Sequence, residues 1–204
     1  MLAAIVALAA PAADPGLFFR EDWKETAAAT PVTQEHVANP DLVLTRHGPG
    51  QAQIRKSHHD TPADDPYYVW SGEAEGNWAV SLRHRASAVD LTGPAKIRWR
   101  SKQAGFRRLR IILKLEGGAW LVSEEHDDES ADWRVREFAV SDLRWRVLDI
   151  DTLVEGRRAE SPDLSRVAEV GFSDLMRGGR TQACSRLDWI EAYGRSVAPK
   201  EGGR

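Results

Sequence analysis

Residues 108–124, RLRIILKLEGGAWLVSE, constrain the fold more than any other stretch. Leu109, Ile111, Leu113 and Leu115 fall on one side of a two-residue period, and Arg108, Arg110 and Lys114 on the other. That period belongs to a strand with one apolar and one polar face. The Glu116-Gly117-Gly118-Ala119 step then reads as a hairpin turn, because glycine supplies the positive φ that tight turns require. A chain with this hairpin must place it in a sheet with one covered face.

The same punctuation recurs along the chain. Strands are predicted at 67–70, 78–85, 95–102, 108–115, 119–124, 133–140, 145–150, 167–173 and 187–193. Leu17-Phe18-Phe19 with Trp23 suggests an opening strand, and Leu42 to Thr45 a short one. Residues 24–40 read as a polar connection, and Gly48 to Pro66 as a loop. No ten-residue stretch carries a helical stripe. The expectation is an all-β chain, a jelly-roll β-sandwich of two antiparallel sheets. One domain is expected over 14–194, with a mobile tail at 195–204.

The N-terminal MLAAIVALAAPAADPG carries a short apolar run followed by the small-x-small site Ala10-Pro11-Ala12. Residues 1–13 are read as a signal peptide or a disordered leader, which places the protein in a secreted or periplasmic compartment. No later segment is apolar enough for membrane insertion. A net charge of −3 gives no global field for nucleic acid. Cys184 is the only cysteine, so no internal disulfide forms. Phosphate loops, dinucleotide fingerprints, nucleophile elbows and Cys-x-x-Cys motifs are all missing from the sequence. Eight tryptophans against five phenylalanines raise the prospect of aromatic platforms.

The second half has an ordered set of motifs. AVDLTGPAKIRWRSK leads into a strand, RRLRIILKLEGGAWLVSE is a hairpin, and DWRVREFAVSDLRW is a tryptophan-led strand. SRVAEVGFSDLMRGG and SRLDWIEAYG close the chain. Over residues 67–194 this order resembles the galactose-binding-like jelly roll of many carbohydrate-binding modules and of the complex I intermediate-associated protein family. The resemblance implies a polysaccharide or protein partner. It also implies a calcium ion pinning the first and last strands, with Glu21 or Asp22 and Asp188 or Glu191 at the matching positions. No cofactor is required by the reading.

Candidate chemistry falls in four places. Glu73 and Glu75 share a strand face if extended, at the spacing a retaining glycosidase needs. However, Gly72 and Gly76 bracket them, and a solvated hairpin loop is the alternative. A tryptophan at position 78 also stands where secreted sandwich glycosidases of the laminarinase type carry a third carboxylate. His58-His59-Asp60 with Asp64-Asp65 is either a metal or acid–base cluster, or a polar surface loop. His126-Asp127-Asp128-Glu129 reads as a solvated loop.

Arginines form the fourth feature. Arg83 and Arg85, Arg98 and Arg100, and Arg108, Arg110 and Lys114 alternate on three predicted strands. If those strands are neighbours, one sheet face is an arginine ladder suited to uronates or sulfates. The alternative pairs them with Glu73, Glu75, Glu124, Glu125 and Glu137. Most tryptophans are expected in the core, Trp99 among them, with Trp70 and Trp78 as exposed platforms. The reading is a secreted carbohydrate-binding protein for an acidic polysaccharide. Trp70 and Trp78 stack, while Asn77, Arg83, Arg98, Arg100 and Arg110 bond. The rivals are a sandwich-fold glycoside hydrolase or lyase using Glu73, Glu75 and His58, and a protein-interaction module.

Overall fold

The computed structural model describes residues 15–177 and 183–199. The expected leader at 1–13 lies outside the described residues. In chain order the first strands are β1 (Leu17–Glu21), β2 (Leu42–His47), β3 (Arg55–Ser57), β4 (Tyr68–Trp70) and β5 (Ala79–His84). They are followed by β6 (Ala88–Asp90), β7 (Lys96–Ala104), β8 (Leu109–Leu115), β9 (Trp120–Asp127) and β10 (Arg134–Ala139). The last are β11 (Trp145–Asp149), β12 (Val154–Ala159), β13 (Val167–Ser173), β14 (Cys184–Tyr193) and β15 (Arg195–Val197).

These strands form two antiparallel sheets. The first runs β10-β7-β14-β4-β3, with β1 paired to the far half of β14. The second runs β12-β11-β9-β8-β13-β5-β2, with β6 joining β13 to β15. The protein is the all-β sandwich expected from its alternation. Its hairpin at 116–119 closes as read: the Leu115 amide donates to the Ala119 carbonyl at 2.9 Å, with Gly118 at φ +91°. Four spans depart from expectation. Arg55–Ser57, placed in a loop, is a strand, and Arg195–Val197, placed in the tail, pairs with β6. Ala88–Asp90 and Val154–Ala159 are strands where none was expected. Three-residue strands carry too little period to be read.

The main core lies between the sheets. Ile97 and Trp99 of β7, Leu109, Ile111 and Leu113 of β8, Leu187 and Ile190 of β14 and Phe172 of β13 all enter it. A second cluster, including Ile112, Trp120, Val122 and Leu148, sits on the outer face of the second sheet. Leu153, the last residue of the β11–β12 turn, folds onto it; its side chain lies so close to Gly48 that a Cβ there would approach it to 2.3 Å.

Most polar groups inside the sandwich are bonded, as burial demands, although both side-chain amide atoms of the buried Gln103 have no hydrogen-bond partner among the described residues. Asp127, at the end of β9, is fully buried and reaches from the second sheet into the first. Its carboxylate accepts the Trp99 indole N–H at 3.1 Å, the Ser101 hydroxyl, and Arg134 Nε at 3.0 Å with a second bond from Arg134 Nη2. The acidic run 126–129 is therefore not wholly a solvated loop; its second residue is an inter-sheet tie. Glu21 plays a comparable part at the end of β1. Its carboxylate accepts the backbone N–H groups of Trp23, Ala38 and Asn39, which folds the 24–40 connection against the sandwich.

The expected arginine ladder is split. β7 belongs to the first sheet, and β5 and β8 to the second. Gly105 and Phe106 follow β7 at φ +63° and +67°, where the chain crosses between sheets instead of forming a hairpin. Arg83 and Arg110 consequently stand on the opposite side of the molecule from Arg98 and Arg100. Arg110 is bound to the Ser123 carbonyl and to Glu155 at 3.0 Å.

Removing the Asp127 carboxylate leaves a buried indole N–H, a hydroxyl and a guanidinium without their acceptor. Asp127→Ala is expected to lower unfolding stability by about 3 kcal/mol, read from urea denaturation against the wild type.

Candidate functional site

The outer face of the first sheet gathers four partly exposed aromatics, Trp70, Trp133, Trp189 and Tyr193. On β7, Ile97 and Trp99 point inward, so Lys96, Arg98 and Arg100 point outward. Their partners on β14 are Tyr193, Glu191 and Trp189, which share that face. Arg186 lies further along β14, opposite Trp70 of β4, and Trp70 lies opposite Arg55 of β3. Trp70, Trp189, Tyr193 and Trp133 are each half-buried, with one surface open to solvent.

A bulge in β14 aims two of these groups. The register shifts between Leu187 and Trp189, so Asp188 and Trp189 both lie at Arg100. The Leu187 carbonyl at the bulge accepts the Trp23 indole N–H at 3.2 Å. Asp188 accepts Arg100 Nη1 at 2.8 Å; burial pushes its carboxyl up, and the Arg100 bond pulls it back. Arg20 stacks over Trp189 at 4.4 Å while bonding Asp22 at 2.8 Å and Glu191 at 2.6 Å. Arg98 lies 5.8 Å from the same indole and 3.3 Å from Glu137 and Glu191. Trp189 is thus held in one orientation by cations that are themselves neutralised.

The 58–67 loop walls this face. His58 stacks on Tyr67 with ring centroids 4.0 Å apart, and the His59 ring and backbone N–H both bond Asp65, at 2.9 and 2.8 Å. Tyr68 meets Trp133 at 5.3 Å over the sheet. Two hollows result. One, of 670 Å³, runs between Trp189, Arg100 and Tyr67 and carries the carboxylates of Asp22, Glu25, Asp64, Asp65 and Asp188. The other, of 180 Å³, lies beside Trp70. Trp70 is seated on Gly72, where a Cβ would stand 2.0 Å from the indole.

Several expected residues lie elsewhere. Trp78, expected as a platform, is 2% exposed and packs edge-on against Phe172 in the core. It precedes Ala79–Val80 on a strand covered on both faces, by the sandwich core and by the outer cluster. Asn77 bonds the Leu153 carbonyl at 3.1 Å, away from the aromatic face. Glu73 and Glu75 are exposed in the turn after β4, and Glu73 lies 3.7 Å from Arg55. Asp22 and Asp188, the carboxylates implied for calcium, are each engaged by a guanidinium, Arg20 and Arg100. Among the described residues no group of three or more His, Cys, Asp or Glu is placed to hold a metal.

Trp70, Arg98 and Arg100 do share the face. Trp133 and Trp189 were missed. Their signal was present for Trp189, since Ile190 and Ala192 alternate with Trp189, Glu191 and Tyr193. Trp133 precedes its strand and reaches the face only through the tertiary fold.

Beneath Tyr67, Lys56 is fully buried. Its Nζ donates to the Thr26 carbonyl at 2.6 Å and sits 4.0 Å from the Tyr67 ring centre. Burial pulls its pKa down to about 8, against a partial opposing pull from Glu25.

No family model and no curated protein matches this chain. Solved structures similar to it include the family 11 carbohydrate-binding module of the cellulosomal cellulase Lic26A-Cel5E of Clostridium thermocellum. That likeness has a TM-score of 0.49 at 14% identity, covering 84% of this chain and 97% of that one. The same organism's family 11 module in complex with a β-1,3-1,4-mixed-linked tetrasaccharide gives a TM-score of 0.48 at 15% identity, covering 84% and 98%. A family 29 carbohydrate-binding module variant complexed with mannohexaose gives 0.46 at 12% identity, covering 86% and 92%. Among the described residues no helix is long and apolar enough to cross a membrane.

Lys56 makes a pH prediction. Its folded pKa of about 8 lies below the ordinary 10.5, so the unfolded chain binds this proton more tightly. Stability from this group is full above the ordinary value and is lost as pH falls through the folded one. Unfolding free energy is expected to rise between pH 8 and 10 in the wild type. The rise should shrink in Lys56→Met, as followed by denaturant titrations at each pH.

Proposed function

We propose that the outer face of the first sheet binds a polysaccharide chain without cleaving it. The observation that carries this reading is the set of half-open indoles, Trp70, Trp133 and Trp189, on one sheet face. An indole with one open face stacks on the apolar side of a sugar ring, and the polar groups around it bond the hydroxyls. Arg20 and Arg98 hold Trp189, and Gly72 seats Trp70, so both rings are ordered before a ligand arrives. Such preorganisation lowers the entropy lost on binding. An exported protein meeting extracellular or periplasmic glycan suits this reading, and calcium has no assigned part in it.

The acidic-polysaccharide expectation rested on cations from three neighbouring strands. With Arg83 and Arg110 on the other sheet, and Arg20, Arg98 and Arg100 already paired with carboxylates, the face as a whole carries both signs. Selectivity for an acidic chain then has to arise at one local position.

Affinity electrophoresis or calorimetry on a panel of neutral and acidic polysaccharides tests the reading, with the size of each recovered polymer measured afterwards. Trp189→Ala and Trp70→Ala are each expected to weaken the bound glycan by roughly three- to tenfold with the fold retained. Trp78→Ala is expected to act on stability instead, by about 3–5 kcal/mol. Shortened product would replace the binding reading with a catalytic one.

A further inference from the structure

The 180 Å³ hollow beside Trp70 differs in charge from the rest of the face. Arg55 and Arg186 stand on either side of Trp70 in register across β3, β4 and β14. Two strand spacings separate their backbones, about 10 Å. Ser57, Tyr68 and the two histidines His58 and His59 complete the lining, and none of the described lining residues is acidic. The neighbouring 670 Å³ hollow, by contrast, is lined by five carboxylates.

The two guanidiniums have little to neutralise them. Among the described residues Arg55 has one carboxylate partner, Glu73 at 3.7 Å, with both side chains substantially exposed, a geometry that contributes little. Arg186 lies near the Tyr68 hydroxyl, and among the described residues it forms no ion pair with a carboxylate. Elsewhere on this face Arg20, Arg98 and Arg100 are each within 3.3 Å of a carboxylate. Like charges flanking one residue across three strands repel. An anion placed between them relieves that repulsion and accepts paired N–H donors from planar forks.

We propose that this hollow is a subsite for the carboxylate of a uronic acid unit whose ring lies on Trp70. Arg186 and Arg55 bond the carboxylate, and the Ser57 and Tyr68 hydroxyls and the His58 ring stand within the same hollow to meet ring hydroxyls. The inference rests on the glycan-binding reading and supplies its local selectivity.

The test uses matched polymers: polygalacturonate, alginate and glucuronan, each beside its carboxyl-methylated ester, with mixed-linkage β-glucan and mannan as neutral chains. At least one uronate polymer is expected to bind about tenfold more tightly than its own ester. That excess is expected to fall as salt is raised from low to high. Arg186→Gln should abolish the preference while changing affinity for a bound ester or neutral chain by less than about twofold. Arg186→Lys, which keeps charge but not the fork, should restore only part of it. Thermal unfolding of each variant confirms that the fold is intact. Binding that is Trp189-dependent but equal for acid and ester, or an Arg186→Gln loss that is equal for both, overturns the subsite and leaves the glycan reading standing. Binding to none of the polymers overturns both.

Discussion

The buried carboxylate of Asp127 is the interaction on which the aromatic face depends. A charge in the middle of a sandwich is tolerated only when donors surround it, and here the donors come from the opposite sheet. The Trp99 indole and the Ser101 hydroxyl must therefore point inward from β7. Because neighbouring residues on a strand face opposite ways, this puts Arg98 and Arg100 outward. β14 then pairs with β7 in a register that sets Trp189, Glu191 and Tyr193 beside them. One interior tie thus decides which surface carries the exposed chemistry.

That surface is ordered by cancellation. Arg20 joins Asp22 and Glu191 while covering Trp189, and Arg100 joins Asp188 at the bulge of β14. Individually such half-exposed pairs contribute little to stability. Their effect is to fix the orientation of an indole and to leave the larger hollow locally acidic and locally neutralised. The smaller hollow escapes this cancellation, since among the described residues no carboxylate pairs with Arg186 or lines the hollow. The two ends of the face therefore present different electrostatics to a chain lying across it.

The β8–β9 hairpin was legible because Leu109, Ile111, Leu113 and Leu115 keep the period and Gly118 occupies the left-handed turn position. β13 and β14 were legible from the apolar closing segments SRVAEVGFSDLMRGG and SRLDWIEAYG. β12 was not: VEGRRA lies at the edge of its sheet with nearly every side chain exposed, so no apolar residue marks an inward face. β3 was hidden by its length and by Lys56, a cation on the inward side of the strand whose charge reads as solvent-facing. Trp70 was identified as an exposed ring, yet Trp78, eight residues on, was misread. Its surroundings in sequence resemble a turn, while its side chain lies between the sheets against Phe172.

By itself the sequence determined the fold class, most strand positions and the inward direction of Trp99, because these follow from local alternation and turn chemistry. Only the tertiary structure decided which strands are neighbours. Register and pairing depend on contacts far apart in the chain, such as Asp127 with Trp99 or Arg186 with Trp70. The arginine ladder failed on that point, for β7 and β8 are consecutive in sequence but lie in different sheets. The aromatic face, assembled from β3, β4, β14 and the residue before β10, arises from the same non-local pairing.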